Sequence, residues 1–406
     1  MQATTGGTEP ALVNLADPVV HAEQDLTDLW RHLRSTQPVW WHPPHGQQPG
    51  FWVVTRHADV VAGYRDSARL SSQRGNVLAT LLQGGDSAGG RMAPVTDGPR
   101  HAELRKLLAS AFAPRALDAV ARQVRATTQE LLRAAVEAGD CDFARDVAAP
   151  IPLATTCDLL GVPAADRQLV LKLTSSALSS PTPAQTAPET WLARNEILLY
   201  FAGLLTKRRQ APQPDVTTLL ATARVGGRPL SPAEIILNCY ALVLGGDETT
   251  RLVMVGAAAA LATHPDQWRR LTRGEVSVAS AVEEVVRWTT PTLHAGRTAS
   301  TEIMLRGRRI AAGDIVTLWN ASANTDEAEF DAPGRFDLGR TPNRHTGFGY
   351  GPHFCLGAVL ARIEIGALLT ALQQTVAGIE LRGEPRRIYS NFLSGFGGLP
   401  VRLTPA

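Results

Sequence analysis

The chain has 406 residues, 44% of them apolar and 19% charged, with a net charge of +2. This is the composition of a globular enzyme, long enough for two or three domains by length alone, and it advertises neither nucleic acid nor an anionic membrane as a partner. Cys141, Cys157, Cys239 and Cys355 contain no CxxC pair, which argues against a zinc site or a redox dithiol and fits reduced thiols in the cytoplasm.

The N-terminus is polar through Gly6 and Gly7 and lacks the basic segment and apolar core of a signal peptide. Residues 51–55 (FWVVT) read as a strand. The glycine-rich stretch 71–97 and the proline-rich stretch 179–188, with Pro181, Pro183 and Pro188, read as mobile loops of the kind that form lids or surface excursions. Between these loops, His101 and Arg105 lie four apart on a helix that opens after Pro99. Two donors on one helix face suit a carboxylate, although a solvated basic face is the commoner reading of such a pair.

Ser231-Pro232-Ala233-Glu234 combines a capping box with proline at the first helical position, and the pattern runs on to His264-Pro265. That predicts a helix of about 33 residues, roughly 50 Å long. Gly245-Gly246-Asp247-Glu248-Thr249-Thr250 stands in its middle, where each glycine costs about 1 kcal/mol relative to alanine, so a close ligand or close packing is required. Glu248 and Thr249 put an acid and an alcohol in one turn; taken alone, solvent-facing polar residues above a packing glycine pair explain them equally well. The apolar segment 252–262 is shorter than the ~20 residues of a bilayer-crossing helix. Glu284 and Arg287 have the i, i+3 spacing of a helical ion pair. Residues 302–305 and 315–319 read as strands separated by Gly307 and Gly313.

The most informative stretch is Phe348-Gly349-Tyr350-Gly351-Pro352-His353-Phe354-Cys355-Leu356-Gly357. A helical pattern of Leu356, Val359, Leu360 and Ile363 follows it. Cys355 therefore sits where a loop becomes a helix, near amides and partial positive charge that favour a thiolate, among glycines that let a flat group approach. A buried cysteine in a glycine-rich turn is the bland alternative for a lone cysteine; the spacing of Phe, Gly, His, Cys and Gly together overturns it.

That spacing resembles the haem-binding signature of the cytochromes P450, and the likeness runs from Trp52-Val53-Val54-Thr55 to Leu399-Pro400-Val401-Arg402. It implies a mainly helical fold with a small β subdomain, a single domain over residues 1–406 with a loosely packed N-terminus at about 1–10, and haem b (iron protoporphyrin IX) between the long helix and the Cys355 loop. Cys355 would be the axial iron ligand, and Phe348, Gly349 and Gly357 would border the haem. His101, Arg105, Arg297 and His353 would meet the propionates, and Glu248 and Thr249 would relay protons to dioxygen. The likeness makes Glu284 and Arg287 a buried structural pair, with Arg335 as the third member. By position in the family pattern, Leu242, Val243, Gly246, Thr292, Leu293, His294, Phe392 and Leu393 approach the substrate pocket. His294 either bonds a polar substrate group or is satisfied by its neighbours, the second being the more common case. In Ala323-Asn324-Thr325-Asp326 a threonine stands where bacterial relatives commonly carry arginine.

The activity implied is a haem-thiolate monooxygenase that hydroxylates a mainly hydrophobic small molecule, such as a natural-product intermediate, free or carrier-bound. With no flavin or nicotinamide segment left to assign, electrons would come from NAD(P)H through a ferredoxin and ferredoxin reductase. Carbon–carbon or carbon–nitrogen coupling, cyclisation, desaturation and a peroxide-driven reaction are alternative outcomes. A non-catalytic haem sensor is the alternative from another class.

Overall fold

The computed structural model describes residues 13–180, 182 and 187–406. Gly6, Gly7, Pro181 and Pro183 lie outside them. The organising element is the helix Pro232–Thr263, whose 32 residues span roughly 48 Å at 1.5 Å per residue. Both halves of its capping box form: the Ser231 hydroxyl accepts from the Glu234 amide, and the Glu234 carboxylate accepts from the Ser231 amide. It is apolar on nearly every side from Leu252 to Leu261, as a helix enclosed by others must be. The helices Pro150–Leu160, Ala187–Gln210, Val278–Thr289 and Ala358–Thr375 pack around it. No helix among the described residues is long and apolar enough to cross a membrane.

A five-stranded sheet lies to one side. Its order is Val39–His42, Phe51–Val54, Ile315–Trp319, His294–Ala299 and Leu70–Ser71. The strands at 51–54 and 315–319 are parallel and the other neighbours antiparallel, with Thr317 opposite both Val53 and Gly296. A second sheet joins Val376–Leu381, Pro400–Pro405 and Asp140–Asp142. The expected strand at 302–305 is the hairpin arm Ile303–Leu305.

Residues 71–97, expected as a loop from their glycines, contain the short helix Leu78–Leu82 and a 3-10 turn at Ala93–Val95. Gly75, Gly84, Gly85 and Gly90 take positive φ and make tight turns around the helix Leu78–Leu82, and Leu78 and Val95 are fully buried. Asn238 of the long helix clamps the far end, accepting from the Ala93 amide and donating to the Arg91 carbonyl. At the near end Asp97 accepts from the Ser71 hydroxyl and the Ser72 amide. The segment is pinned to the long helix and to the sheet edge, and it supplies one wall of the cavity described below.

The Glu284–Arg287 pair is buried, with both bonds at 2.8 Å. Arg335 is not its third member. Only its backbone carbonyl reaches Arg287, while its guanidinium is exposed and bonds Asp337. Arg340 takes that role, donating from Nε to Glu284 at 3.2 Å with its side chain buried. Five residues of chain beyond Arg335 bring Arg340 back over the helix, a return that helical spacing alone does not reveal. At the threonine departure, Arg34 donates to the Thr325 hydroxyl and to Ser322 and pairs with Glu327, so a guanidinium from elsewhere in the chain occupies this corner.

Candidate active site

One cavity of about 360 Å³ lies between the middle of the long helix and the loop that carries Cys355. Cys355 sits two residues ahead of Gly357, which caps the helix Ala358–Thr375. The loop is bent back on itself by the Cys355 amide donating to the Phe348 carbonyl at 2.8 Å. Gly349 and Gly351 take positive φ there, and a Cβ at Gly351 would stand 2.6 Å from the Tyr64 carbonyl oxygen, so no other residue fits. The accessible surface of Cys355 belongs to the cavity wall deep in the protein. Burial raises its thiol pKa, against the opposing pull of the Gly357 amide, Arg105 and Arg362. The Gly357 amide and the two guanidiniums favour the thiolate, as the sequence predicts, and burial opposes it.

Whether haem fits can be judged from the charges around the cavity. Arg297 is 3% exposed and lines it, yet no carboxylate among the described residues pairs with it; it donates only to the Gly296 carbonyl and lies over the Tyr64 ring. Arg105 also lines the cavity, with neither hydrogen bond nor ion pair among the described residues, and burial lowers the pKa of both guanidiniums. A buried, uncompensated cation such as Arg297 is costly, and with half-buried Arg105 beside it the site suits an anion with two acidic groups. His101 and His353 lie beside them with ring centroids 4.1 Å apart and the rings tilted by 31°. His353 bonds Asp97 at 3.3 Å. Burial, then His353 and Arg105, push the His101 pKa down to about 4 in the absence of an anion beside it. On opposite walls, a Cβ at Gly245 or at Gly357 would meet no protein atom within 4 Å. A thiol, two unpaired guanidiniums, an imidazole N–H and a glycine-flanked gap suit haem with its propionates.

The long helix presents Gly245, Gly246, Thr249 and Thr250 to the cavity. Thr249 donates its hydroxyl to the Gly245 carbonyl, four residues back, at 2.8 Å. Gly246 has a second reason to be glycine, since a Cβ there would lie 2.7 Å from the Thr156 hydroxyl oxygen. Glu248 does not line the cavity. It is fully buried on another side of the helix, where it pairs with Arg251 at 2.5 Å and accepts from Ser179 at 3.1 Å.

Among the residues expected in the substrate pocket, Leu242, Gly246, Thr292 and Phe392 line the cavity. Val243, Leu293, His294 and Leu393 do not. Thr292, ahead of the strand His294–Ala299, and Ala295 within it reach the cavity, while His294 turns into the core against Trp319 and Phe392. Burial pushes the His294 pKa down to about 3, with the Asn391 backbone opposing it, and neither ring nitrogen makes a hydrogen bond of good geometry among the described residues. Of the two expected readings for His294, the ring lies among its neighbours, in an aromatic cluster, and not on the cavity wall. Sequence reasoning missed Asn76, Leu178 and Glu364, which line the cavity. Asn76 follows a glycine turn and Leu178 ends a helix, so neither carries a local signal; Glu364, a lone acid in an apolar helical run, does.

Comparison with known proteins agrees with this geometry. The family described as cytochrome P450 matches residues 193–376. Cytochrome P450 NovI of Streptomyces niveus is 49% identical over 401 residues, covering 99% of this chain and 98% of the relative. The steroid C26-monooxygenase of Rhodococcus jostii is 33% identical, covering 97% of this chain and 87% of the relative. Among solved structures, P450 OxyD, involved in the biosynthesis of vancomycin-type antibiotics, aligns at a TM-score of 0.88 with 35% identity, covering 97% of this chain and all of that one.

Proposed function

This chain belongs to the cytochrome P450 family, and from that premise we propose how its own residues serve the reaction. It is a haem-thiolate monooxygenase with the predominantly helical fold of the family. Bound haem supplies the redox centre at which dioxygen is activated. Cys355 holds the iron through its sulfur. Arg105 and Arg297, with the N–H of His101 and with His353, hold the propionates, and Phe348, Gly349 and Gly357 border the ring. The observation that carries this reading is the meeting of Cys355, two anion-seeking arginines and Thr249 on the walls of one cavity.

Thr249 positions a proton over the reacting face: its hydroxyl can let go of the Gly245 carbonyl and donate into the cavity. Glu248 is the acid behind it, and it must exchange its bond to Arg251 or Ser179 for contact with solvent before it can reload the alcohol. The walls formed by Leu242, Leu178 and Phe392 exclude water and favour a mainly apolar small molecule. Intermediates of antibiotic-type metabolites fit this description, and the structurally similar OxyD is itself involved in antibiotic biosynthesis. We read the chain as one domain acting in the cytoplasm. Electrons come from NAD(P)H by way of a ferredoxin and its reductase, docking where the Cys355 loop and the first turn of the following helix meet solvent; Val359 is exposed there. Titrating candidate compounds against the ferric holoenzyme and recording the low-spin to high-spin change tests the pocket, and product analysis identifies the reaction. Apolar compounds of natural-product size should give the change. A response confined to small, strongly polar molecules would overturn the substrate class.

A further inference from the structure

Arg362 is fixed more firmly than a partly exposed arginine requires, and it takes part neither in holding the propionates nor in the Thr249 relay. It stands on the helix Ala358–Thr375, seven residues and about two turns past Cys355, and does not line the cavity. Its guanidinium donates to both oxygens of Glu283, from Nε at 2.7 Å and from Nη2 at 2.9 Å. A two-pronged pair of this kind sets the plane of the guanidinium as well as its position. Its Cζ atom lies over the Phe348 ring, 4.5 Å from the centroid, inside the roughly 6 Å reach of a cation–π contact.

Glu283 has a second donor. The Gly347 amide donates to Nδ1 of His345 at 3.1 Å, which puts the ring proton on Nε2, and Nε2 donates to Glu283 at 3.1 Å. His345 in turn lies against Phe348, with ring centroids 5.6 Å apart. Against the upward push of burial, Arg362 and His345 hold the Glu283 carboxyl down at about 2, so it stays ionised. The pair is therefore neutral as a whole, with its positive end over the ring. Phe348 links that charge to the site, since its ring lines the cavity and its carbonyl accepts from the Cys355 amide at 2.8 Å. Arg362 is also close enough to Cys355 for the two charges to interact. Arg105, the other cation in that position, lines the cavity and is assigned to a propionate, whose charge offsets it.

We propose that Arg362, acting through Phe348, is a positioning residue for electron uptake: held in place by Glu283 and His345, it keeps a positive charge beside the Cys355 loop and raises the reduction potential of the haem. One electron from the donor turns ferric iron to ferrous and adds one negative charge to the site, which a fixed cation nearby favours. Glu283 works in the opposite sense, because it offsets part of that cation while it holds it. A clamp that merely shaped the loop would give the two side chains no opposed effects. The inference deepens the monooxygenase reading and rests on it for haem at Cys355.

Redox titration of the holoenzyme with mediator dyes, followed by its absorption spectrum, tests it. Arg362→Gln removes the cation and leaves the anion, so at one applied potential the ferrous-to-ferric ratio should fall about threefold to tenfold, roughly 30–60 mV at about 59 mV per decade for one electron. The two side chains are 37% and 29% exposed, so solvent screening holds the effect to that range. Glu283→Gln leaves the cation alone, and the ratio should rise instead. The double variant should fall between the two, and Arg362→Lys should lie nearer the wild type than Arg362→Gln does. Shifts of one sign in both single variants, no shift in Arg362→Gln, or Arg362→Lys displaced as far as Arg362→Gln would each overturn the proposal. Should Arg362→Gln load haem poorly, the sign of the shift in Glu283→Gln decides the matter by itself. If the reduced, carbon monoxide-bound wild type shows thiolate ligation and the potentials do not move, this inference fails and the enzyme reading stands; a wild type without thiolate ligation would sink the reading itself.

Discussion

Replacing Glu284 by Gln should be among the most destabilising isosteric changes available in this protein. Glu284 is fully buried and accepts from Arg287 Nε and Nη2, the Asp337 amide, Arg340 Nε and Asn343 Nδ2. The amide keeps the shape but removes the only anion among the described residues that pairs with the side chains of Arg287 and Arg340, which are 1% and 8% exposed. It also turns an acceptor into a donor aimed at donors. Breaking a buried pair by removing one partner costs about 3–5 kcal/mol. Against a total stability of about 5–15 kcal/mol, that is a loss large enough to deplete the folded holoenzyme. Urea unfolding followed by circular dichroism, with haem content measured alongside, reads it directly. Arg335→Ala is the internal control: its guanidinium is 65% exposed and pairs only with Asp337, so it should cost within about 0.5 kcal/mol. A loss below about 1 kcal/mol for Glu284→Gln, or an Arg335→Ala effect as large as that of Arg340→Ala, would refute the assignment of Arg340 to this network.

Three further outcomes follow from the site. Thr249→Ala should keep substrate binding, measured by the spin-state change, while diverting electrons from product to peroxide; equal coupling in variant and wild type would remove Thr249 from the relay. Arg297→Leu should weaken haem retention about tenfold to a hundredfold, the equivalent of about 1.5–3 kcal/mol for a charge-assisted hydrogen bond, as measured by haem transfer to an acceptor protein; unchanged retention would mean that its guanidinium meets no propionate. His294→Leu should make the protein more resistant to acid. Because the folded pKa of His294 is about 3, below its unfolded value of about 6.5, the unfolded chain binds a proton that the folded chain refuses. Stability is therefore full above about pH 6.5 and is lost as pH falls towards about 3, at up to about 1.4 kcal/mol per unit for this one group. Parallel stability–pH curves for the variant and the wild type would contradict this.

Most of what the sequence discloses comes from features that act locally. The long helix ends where its capping box and His264-Pro265 place it, and the Cys355 loop turns into a helix where its glycines stop. The strand at 315–319 matches its expected bounds residue for residue. What is not legible depends on partners distant in the chain. The edge strands Val39–His42 and Leu70–Ser71 exist because strands elsewhere pair with them. Residues 71–97 are tied to Asn238, 145 positions from Ala93, and their glycines make turns around a short helix. Pocket membership along 292–295 depends on how the chain enters the strand His294–Ala299, which counting residues does not tell, so His294 is expected there and Ala295 is not. Arg340 and Arg335 are both basic and five apart, and only the fold of the intervening turn selects between them. Glu364 escapes notice because its neighbours read as core, although an acid in such a run is itself a signal.

Every role assigned around the cavity presupposes a bond between the sulfur of Cys355 and the haem iron. The absorption spectrum of the reduced, carbon monoxide-bound holoenzyme reports on that bond without intermediaries. The wild type should show the strongly red-shifted Soret band of thiolate ligation, and Cys355→His should move that band to the shorter wavelength of an imidazole ligand. A wild-type band already at the shorter wavelength, or a red-shifted band that survives the substitution, would contradict the assignment.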